Sequence, residues 1–109
     1  MGRSTTSKLQ RQEERRILEE YHKVVTEEAL EPLWESFVAW KEGTLPYDEL
    51  TERIHLFHKT NQEIYKDFNY TERYLLVLYA KMKLGRLTDQ DYTQYGAILD
   101  RWKYDEEVD

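Results

Sequence analysis

The chain has 109 residues and a mass of 13.3 kDa, close to the usual size of one domain, which leaves little room for two separate cores. It carries 22 acidic and 16 basic residues, a formal net charge of −6, and 14% aromatic residues, more than a chain without a core would hold. With four glycines, two prolines and no cysteine, the composition excludes a many-stranded β fold, a disulfide framework and a thiolate metal site.

These features predict an all-α protein: a compact bundle of four or five helices, in which a long N-terminal helix is followed by two αα-hairpins. We expect residues 1–7 to form a disordered leader, residues 8–104 a single helical domain, and residues 105–109 an acidic tail. The leader also fits the short acylation pattern Met-Gly-x-x-x-Ser/Thr, which chance produces often. Since the sequence shows neither a secretory signal nor an apolar span, we expect a cytoplasmic protein without membrane contact.

The first predicted helix runs from Lys8, and its apolar residues gather within about half of the helical circumference. Pro32 interrupts this helix and either opens a second helix or kinks a single long one. An apolar stripe at four-residue spacing passes through the proline, formed by Tyr21, Val25, Ala29, Leu33 and Phe37. A kinked helix therefore stays open, although we favour a break, with a second helix from Pro32 to Glu42 that ends at Gly43.

Pro46 suits the first turn of the third predicted helix, which runs to about Lys66. The core face of this helix consists of Leu50, Ile54, Phe57, Ile64 and Tyr65. Asn69 and Glu72 then have the spacing of a capping box, in which the Asn69 side chain accepts a backbone N–H bond and Glu72 bonds back.

The fourth predicted helix, residues 70–84, is apolar on nearly every side, so other helices or a second subunit must cover it. Gly85 ends this helix, and Thr88 with the acidic residues after it predicts the cap of a fifth helix. The inner face of the fifth helix is predicted to hold Tyr92, Tyr95, Ile98, Leu99 and Trp102.

Residues 33–60 align with residues 75–102 when the chain is shifted by 42 positions. The identical pairs are Leu33/Leu75, Lys41/Lys83, Gly43/Gly85, Leu45/Leu87 and Thr51/Thr93. Each copy reads as a helix, a glycine stop and a second helix, which is the pattern of an αα-hairpin. A duplication explains this match, and so does the convergence of two hairpins on one cap and one apolar spacing.

Two Glu-x-x-His motifs are the sharpest candidates for chemistry, because di-iron carboxylate bundles use this spacing on two of their helices. The ligands would be Glu19 and His22 on the first helix, with Glu52, His55 and His58 on the third. Helical angles place both Glu-x-x-His motifs about 100–180° away from the core faces, that is, sideways or outward, and His58 about 70° away. A carboxylate and histidine metal-binding bundle is therefore the alternative function, and we expect no resident cofactor.

Neither an enzyme nor a nucleic-acid-binding protein is favoured by the remaining patterns. The sequence contains no Gly-x-Ser-x-Gly nucleophile motif and no glycine-rich phosphate loop. Residues 1–18 carry five basic and two acidic residues, whereas the rest of the chain carries −9 and repels phosphate.

A surplus of large apolar side chains remains once the helices are packed, and such residues commonly anchor interfaces. The predicted contact residues are Trp34, Phe37, Val38 and Tyr79. We therefore expect a non-catalytic protein that acts through protein–protein contacts, as an adaptor or oligomerisation module, with a homodimer or another protein as its partner.

Overall fold

The computed structural model describes the backbone of residues 2–108 and the side chains of residues 8–104. Within this range the chain forms α1 (Gly2–Lys41), α2 (Tyr47–Tyr70), α3 (Arg73–Leu84) and α4 (Asp89–Val108), and no strand. The all-α bundle with a long N-terminal helix is therefore confirmed. The predicted leader and acidic tail fall on residues whose side chains lie outside the described part, and they stay predictions.

The bundle is more elongated than the compact one that the sequence predicts. Its extents are 62 × 35 × 22 Å and its radius of gyration is 18.4 Å, whereas a compact domain of about this length has a radius near 13 Å. The length comes from α1, which at 40 residues measures about 60 Å. The shorter helices lie beside this one long helix.

The helix break that we favoured at Pro32 is wrong, because α1 continues through the proline to Lys41. An internal proline removes one backbone hydrogen bond, but α2 packs against α1 on both sides of it. Before the proline, the ring of Tyr21 stacks on Phe68 at 5.5 Å. After it, Arg53 donates a hydrogen bond to Ser36 Oγ at 3.3 Å. These contacts with one neighbouring helix hold α1 together as a single element.

The connection between α1 and α2 reverses the chain, so that the two helices run antiparallel. Gly43 adopts a positive φ of +84°, which confirms the predicted glycine stop. Thr44 Oγ1 donates to the Ala39 carbonyl at 3.1 Å, and Leu45 turns inward to become buried. Gly85 repeats this geometry at the end of α3 with φ +69°, so both predicted hairpins turn at a left-handed glycine.

The capping box predicted at Asn69 and Glu72 is wrong. Asn69 lies inside α2, and its side-chain amide donates to the Tyr65 carbonyl at 2.7 Å. This bond engages the Asn69 side chain with a carbonyl near the end of α2, so the side chain does not cap the helix that follows. As a result α2 runs to Tyr70, and α3 begins at Arg73 without a side-chain cap bond.

The apolar helix α3 is covered mainly by α1. Its buried residues are Leu76, Val77, Leu78 and Ala80. Leu76 and Ala80 form the main core cluster with Ile17 and Tyr21 of α1. Among the described residues, no helix combines the length and the apolar character required to cross a bilayer.

Thr88 and Asp91 form the predicted cap of the last helix. The Thr88 N–H donates to the Asp91 carboxylate at 2.9 Å, and the Asp91 N–H donates to Thr88 Oγ1 at 3.2 Å. The predicted inward position of Tyr92 is wrong, since this residue is 54% exposed. A kink at Tyr95 (φ −123°, ψ 22°) changes the angular register of α4, so that Leu99 beyond the kink is buried.

Candidate functional site

The two Glu-x-x-His motifs lie far apart on the surface. Glu19 and His22 are exposed on α1, where the His22 ring meets the ring of Phe68 edge-on at 4.9 Å. Glu52, His55 and His58 are exposed on α2. His55 is 13 residues from Phe68 along α2, a separation of about 20 Å. The structure therefore does not bring the two motifs together, and the described residues contain no group of three or more potential metal ligands.

The four predicted interface residues divide between two regions. Trp34, Phe37 and Val38 lie in the C-terminal half of α1, where Trp34 is 64% and Phe37 37% exposed. Tyr79 lies on α3 beside Tyr21, and Tyr21 is 13 residues from Trp34 along α1, or about 20 Å. These residues therefore belong to two separate surfaces.

The first surface, the α1 outer face, is a line of exposed residues along the side of α1 turned away from the core. Residues seven apart return to nearly the same side of a helix, and this line contains Leu9, Arg16, Lys23, Leu30 and Phe37, with Trp34 beside the last two. All six are exposed. The line stays unpaired within the described part of the chain because α2 and α3 pack on the opposite side, against Ile17 and Tyr21.

Charge is distributed unevenly along the α1 outer face. Residues 27–41 of α1 carry four acidic residues and one lysine, a charge of −3. Residues 1–18 carry +3. Some acidic groups of α1 are paired with α3 and the residues after it, as in Glu28–Lys83 at 3.2 Å and Glu20–Arg86 at 2.6 Å. The C-terminal half of α1 therefore combines exposed apolar rings with a net negative charge.

The second surface, the aromatic cleft, is located where all four helices meet. Each helix contributes one ring: Tyr21 from α1, Phe68 from α2, Tyr79 from α3 and Trp102 from α4. The ring centroids follow one another at 5.5 Å (Phe68 to Tyr21), 6.3 Å (Tyr21 to Tyr79) and 5.1 Å (Tyr79 to Trp102). Beside this row is a cavity of about 400 Å³, lined by Tyr21, Asp67, Thr71, Leu75, Leu76, Tyr79 and Trp102.

The Tyr21 hydroxyl lies in an electronegative part of this cleft. Burial, together with the neighbouring Tyr79, Asp67 and Glu28, raises the pKa of Tyr21 to about 12. Each of these effects disfavours a negative charge on the phenol oxygen. The cleft is therefore unsuited to anions at neutral pH.

One ion pair links α3 to α4 and belongs to the cap of α4. The Lys81 ammonium lies 3.2 Å from the Asp91 carboxylate, and the two side chains are only 22% and 10% exposed. Burial alone would raise the pKa of Asp91, but hydrogen bonds from the Thr88 N–H, the Lys81 ammonium and the Thr88 hydroxyl hold that pKa below its usual range. The residues of this cluster bond to one another and connect α3 to α4.

The sequence identified the exposed rings of α1 but missed the aromatic cleft. Tyr21 and Trp102 both fall on predicted inner faces, so each was interpreted as core. Both residues contact Tyr79 because four helices cross at this point. A single sequence does not indicate where helices cross.

Comparison with known proteins adds no function, since no protein-family model, curated protein or solved structure matches the chain.

Proposed function

We propose that this protein is a non-catalytic helical module that acts through protein–protein contacts, and that its partner is a second copy bound along the α1 outer face. The observation that carries the proposal is the exposure of Leu30, Trp34 and Phe37 beside one another on a face that no other described helix covers. Exposed apolar side chains that cluster, aromatic ones above all, are the usual anchors of binding interfaces.

The charge distribution favours an antiparallel pair. In a parallel pair, residues 27–41 of both protomers would lie together and bring two charges of −3 into contact. In an antiparallel pair related by a two-fold axis, these residues face the basic residues 8–18 of the other protomer. Centred on Lys23, this arrangement also sets Leu9 of one protomer opposite Phe37 of its partner, because each is 14 residues from Lys23. Both apolar ends of the face are then covered.

Sedimentation velocity over a range of protein and salt concentrations tests the proposal. We expect a dimer of twice 13.3 kDa that dissociates more readily as NaCl rises from about 0.05 to 0.5 M, because salt screens charges that remain near solvent. Trp34→Ala should shift the equilibrium to the monomer, whereas Tyr65→Ala, which removes an equally exposed ring from α2, should leave it unchanged.

A charge-exchange experiment tests the orientation. Arg16 and Glu27 are exposed on the side of α1 that carries the outer face, and the antiparallel pairing brings Arg16 of one protomer close to Glu27 of the other. The variants Arg16→Glu and Glu27→Lys each place like charges across this interface, so each should weaken the dimer. Combining both substitutions restores opposite charges and should restore the dimer, an outcome that a general loss of stability cannot produce.

A charge exchange outside the face serves as the control. Asp100→Lys/Arg101→Glu alters two neighbouring exposed residues of α4 and should leave the dissociation constant unchanged. A wild-type protein that stays monomeric at every concentration and salt level would show that the proposed self-association is wrong.

A further inference from the structure

The aromatic cleft has the composition of a site for organic cations. Aromatic rings carry partial negative charge on their faces, which attracts a cation placed over them. Three rings line this cavity, from Tyr21, Tyr79 and Trp102, and the Asp67 carboxylate lies at the same cavity. Tyr79 is 44% exposed and Trp102 is half-buried, so the cleft is open to solvent on the side of α3 and α4.

The charges around the cleft leave its negative groups available. Asp67 is exposed and forms no ion pair with any residue whose side chain the structure describes. The nearby basic residues that follow Tyr79 are engaged elsewhere: Lys83 pairs with Glu28 at 3.2 Å, and Arg86 pairs with Glu20. A cation that enters the cleft therefore meets an unpaired carboxylate and no competing positive charge among these contacts.

The shape and polarity of the cleft favour a bulky, weakly hydrated cation over a compact one. Leu75 and Leu76 line the cavity together with the rings, and its volume is about 400 Å³. An alkylated ammonium loses little hydration when it contacts such apolar walls, whereas a lysine ammonium is compact and strongly hydrated. We infer that the aromatic cleft binds a trimethylammonium group, held by the ring faces and the Asp67 carboxylate.

Tryptophan fluorescence tests this inference directly. The variant Trp34→Phe/Trp40→Phe leaves Trp102 as the only tryptophan, and the two changed residues lie outside the cleft. Choline should change the Trp102 emission with a saturable dependence on concentration. The neutral isostere 3,3-dimethylbutan-1-ol has the same shape without the charge, and we expect it to bind at least about tenfold more weakly.

Two substitutions distinguish a built site from general attraction to an acidic protein. Asp67→Asn, at an exposed position, should weaken choline binding about tenfold, whereas Asp100→Asn, an exposed carboxylate of α4, should leave it unchanged. Trp102→Leu should abolish binding measured by calorimetry, and circular dichroism of this variant reports whether the helices remain.

The source of the trimethylammonium group is decided by comparing free choline with a peptide that contains trimethyllysine. Tighter binding of the peptide than of choline, with loss of binding for the unmodified lysine peptide, assigns the cleft to a modified protein; the reverse order assigns it to a free metabolite. Equal binding of choline and its neutral isostere, or equal loss in Asp67→Asn and Asp100→Asn, would overturn the inference.

Discussion

Replacing Asp91 by alanine should destabilise the fold more than any other single change of a charged residue on α4. The Asp91 carboxylate accepts hydrogen bonds from the Thr88 N–H at 2.9 Å and from the Lys81 ammonium at 3.2 Å. It therefore joins the cap of α4 to α3 at one point. Asp91→Ala removes both bonds and leaves Lys81, whose side chain is 22% exposed, without its partner.

The size of the effect follows from these contacts. Loss of a capping interaction costs about 1 kcal/mol, and loss of a hydrogen bond between charged groups costs about 1.5–3 kcal/mol. Because both side chains are less than a quarter exposed, solvent screens their interaction only in part. We expect the free energy of unfolding to fall by about 2–4 kcal/mol, which lowers the melting temperature by about 10–15 °C in a domain of this size.

Thermal unfolding followed by circular dichroism measures this loss, with Asp89→Ala as the matched control. Asp89 is exposed in the same first turn of α4, so its replacement should change stability by no more than about 0.5 kcal/mol. Equal losses in Asp91→Ala and Asp89→Ala would refute the assigned role of the carboxylate.

The pH dependence provides a second, independent check of the same interaction. The pKa of Asp91 is lowered in the folded protein, so its stabilising effect is present above the unfolded pKa of about 3.9 and is lost as the pH falls through the folded value. The difference in unfolding free energy between the wild type and Asp91→Asn should therefore stay constant from pH 7 to about 5 and shrink below about pH 4. A difference that persists at low pH would contradict the ion-pair explanation.

Three further substitutions probe the core, the cleft and the long helix. Leu78 is only 2% exposed, so Leu78→Ala should lower the free energy of unfolding, measured in urea, by about 2–5 kcal/mol. Leu75 is half-buried, so Leu75→Ala should cause a smaller loss. Tyr21→Phe should reduce the loss of stability between about pH 10 and 12, because the raised pKa of Tyr21 makes the wild type less stable as the pH rises through that window. Pro32→Ala restores a backbone donor inside α1 and should raise the free energy of unfolding by about 1–3 kcal/mol; a decrease would mean that the fold requires the proline.

Local signals predicted the turns of this fold better than the lengths of its helices. Gly43, Gly85 and the Thr88 cap each act through residues within a few positions of one another, so the sequence alone defines them. Pro32 and Asn69 were misinterpreted because their outcome depends on other contacts. The proline is tolerated because α2 flanks it on both sides, and the asparagine bonds backward to Tyr65 rather than forward.

In the candidate surfaces, too, the sequence predicts local features better than contacts between helices. Helical spacing places Trp34 beside the core stripe and Phe37 on that stripe. Both are predicted contact residues, and both are exposed in the structure. Tyr79 was assigned to the same interface, yet its ring contacts Tyr21 and Trp102. Helical spacing predicts the side of a helix on which a residue lies, but it does not predict which other helix packs against that side.

The α1 outer face and the aromatic cleft require different parts of the fold. Trp34 and Tyr21 are 13 residues apart, which places their side chains about 140° apart around α1. The outer face needs only that α1 remains one continuous helix, whereas the cleft exists only when α2, α3 and α4 come together beside α1. A change that displaces α4, such as loss of the Asp91 cap, should therefore damage the cleft through Trp102 while the outer face of α1 keeps its shape. The two surfaces thus occupy opposite sides of one helix.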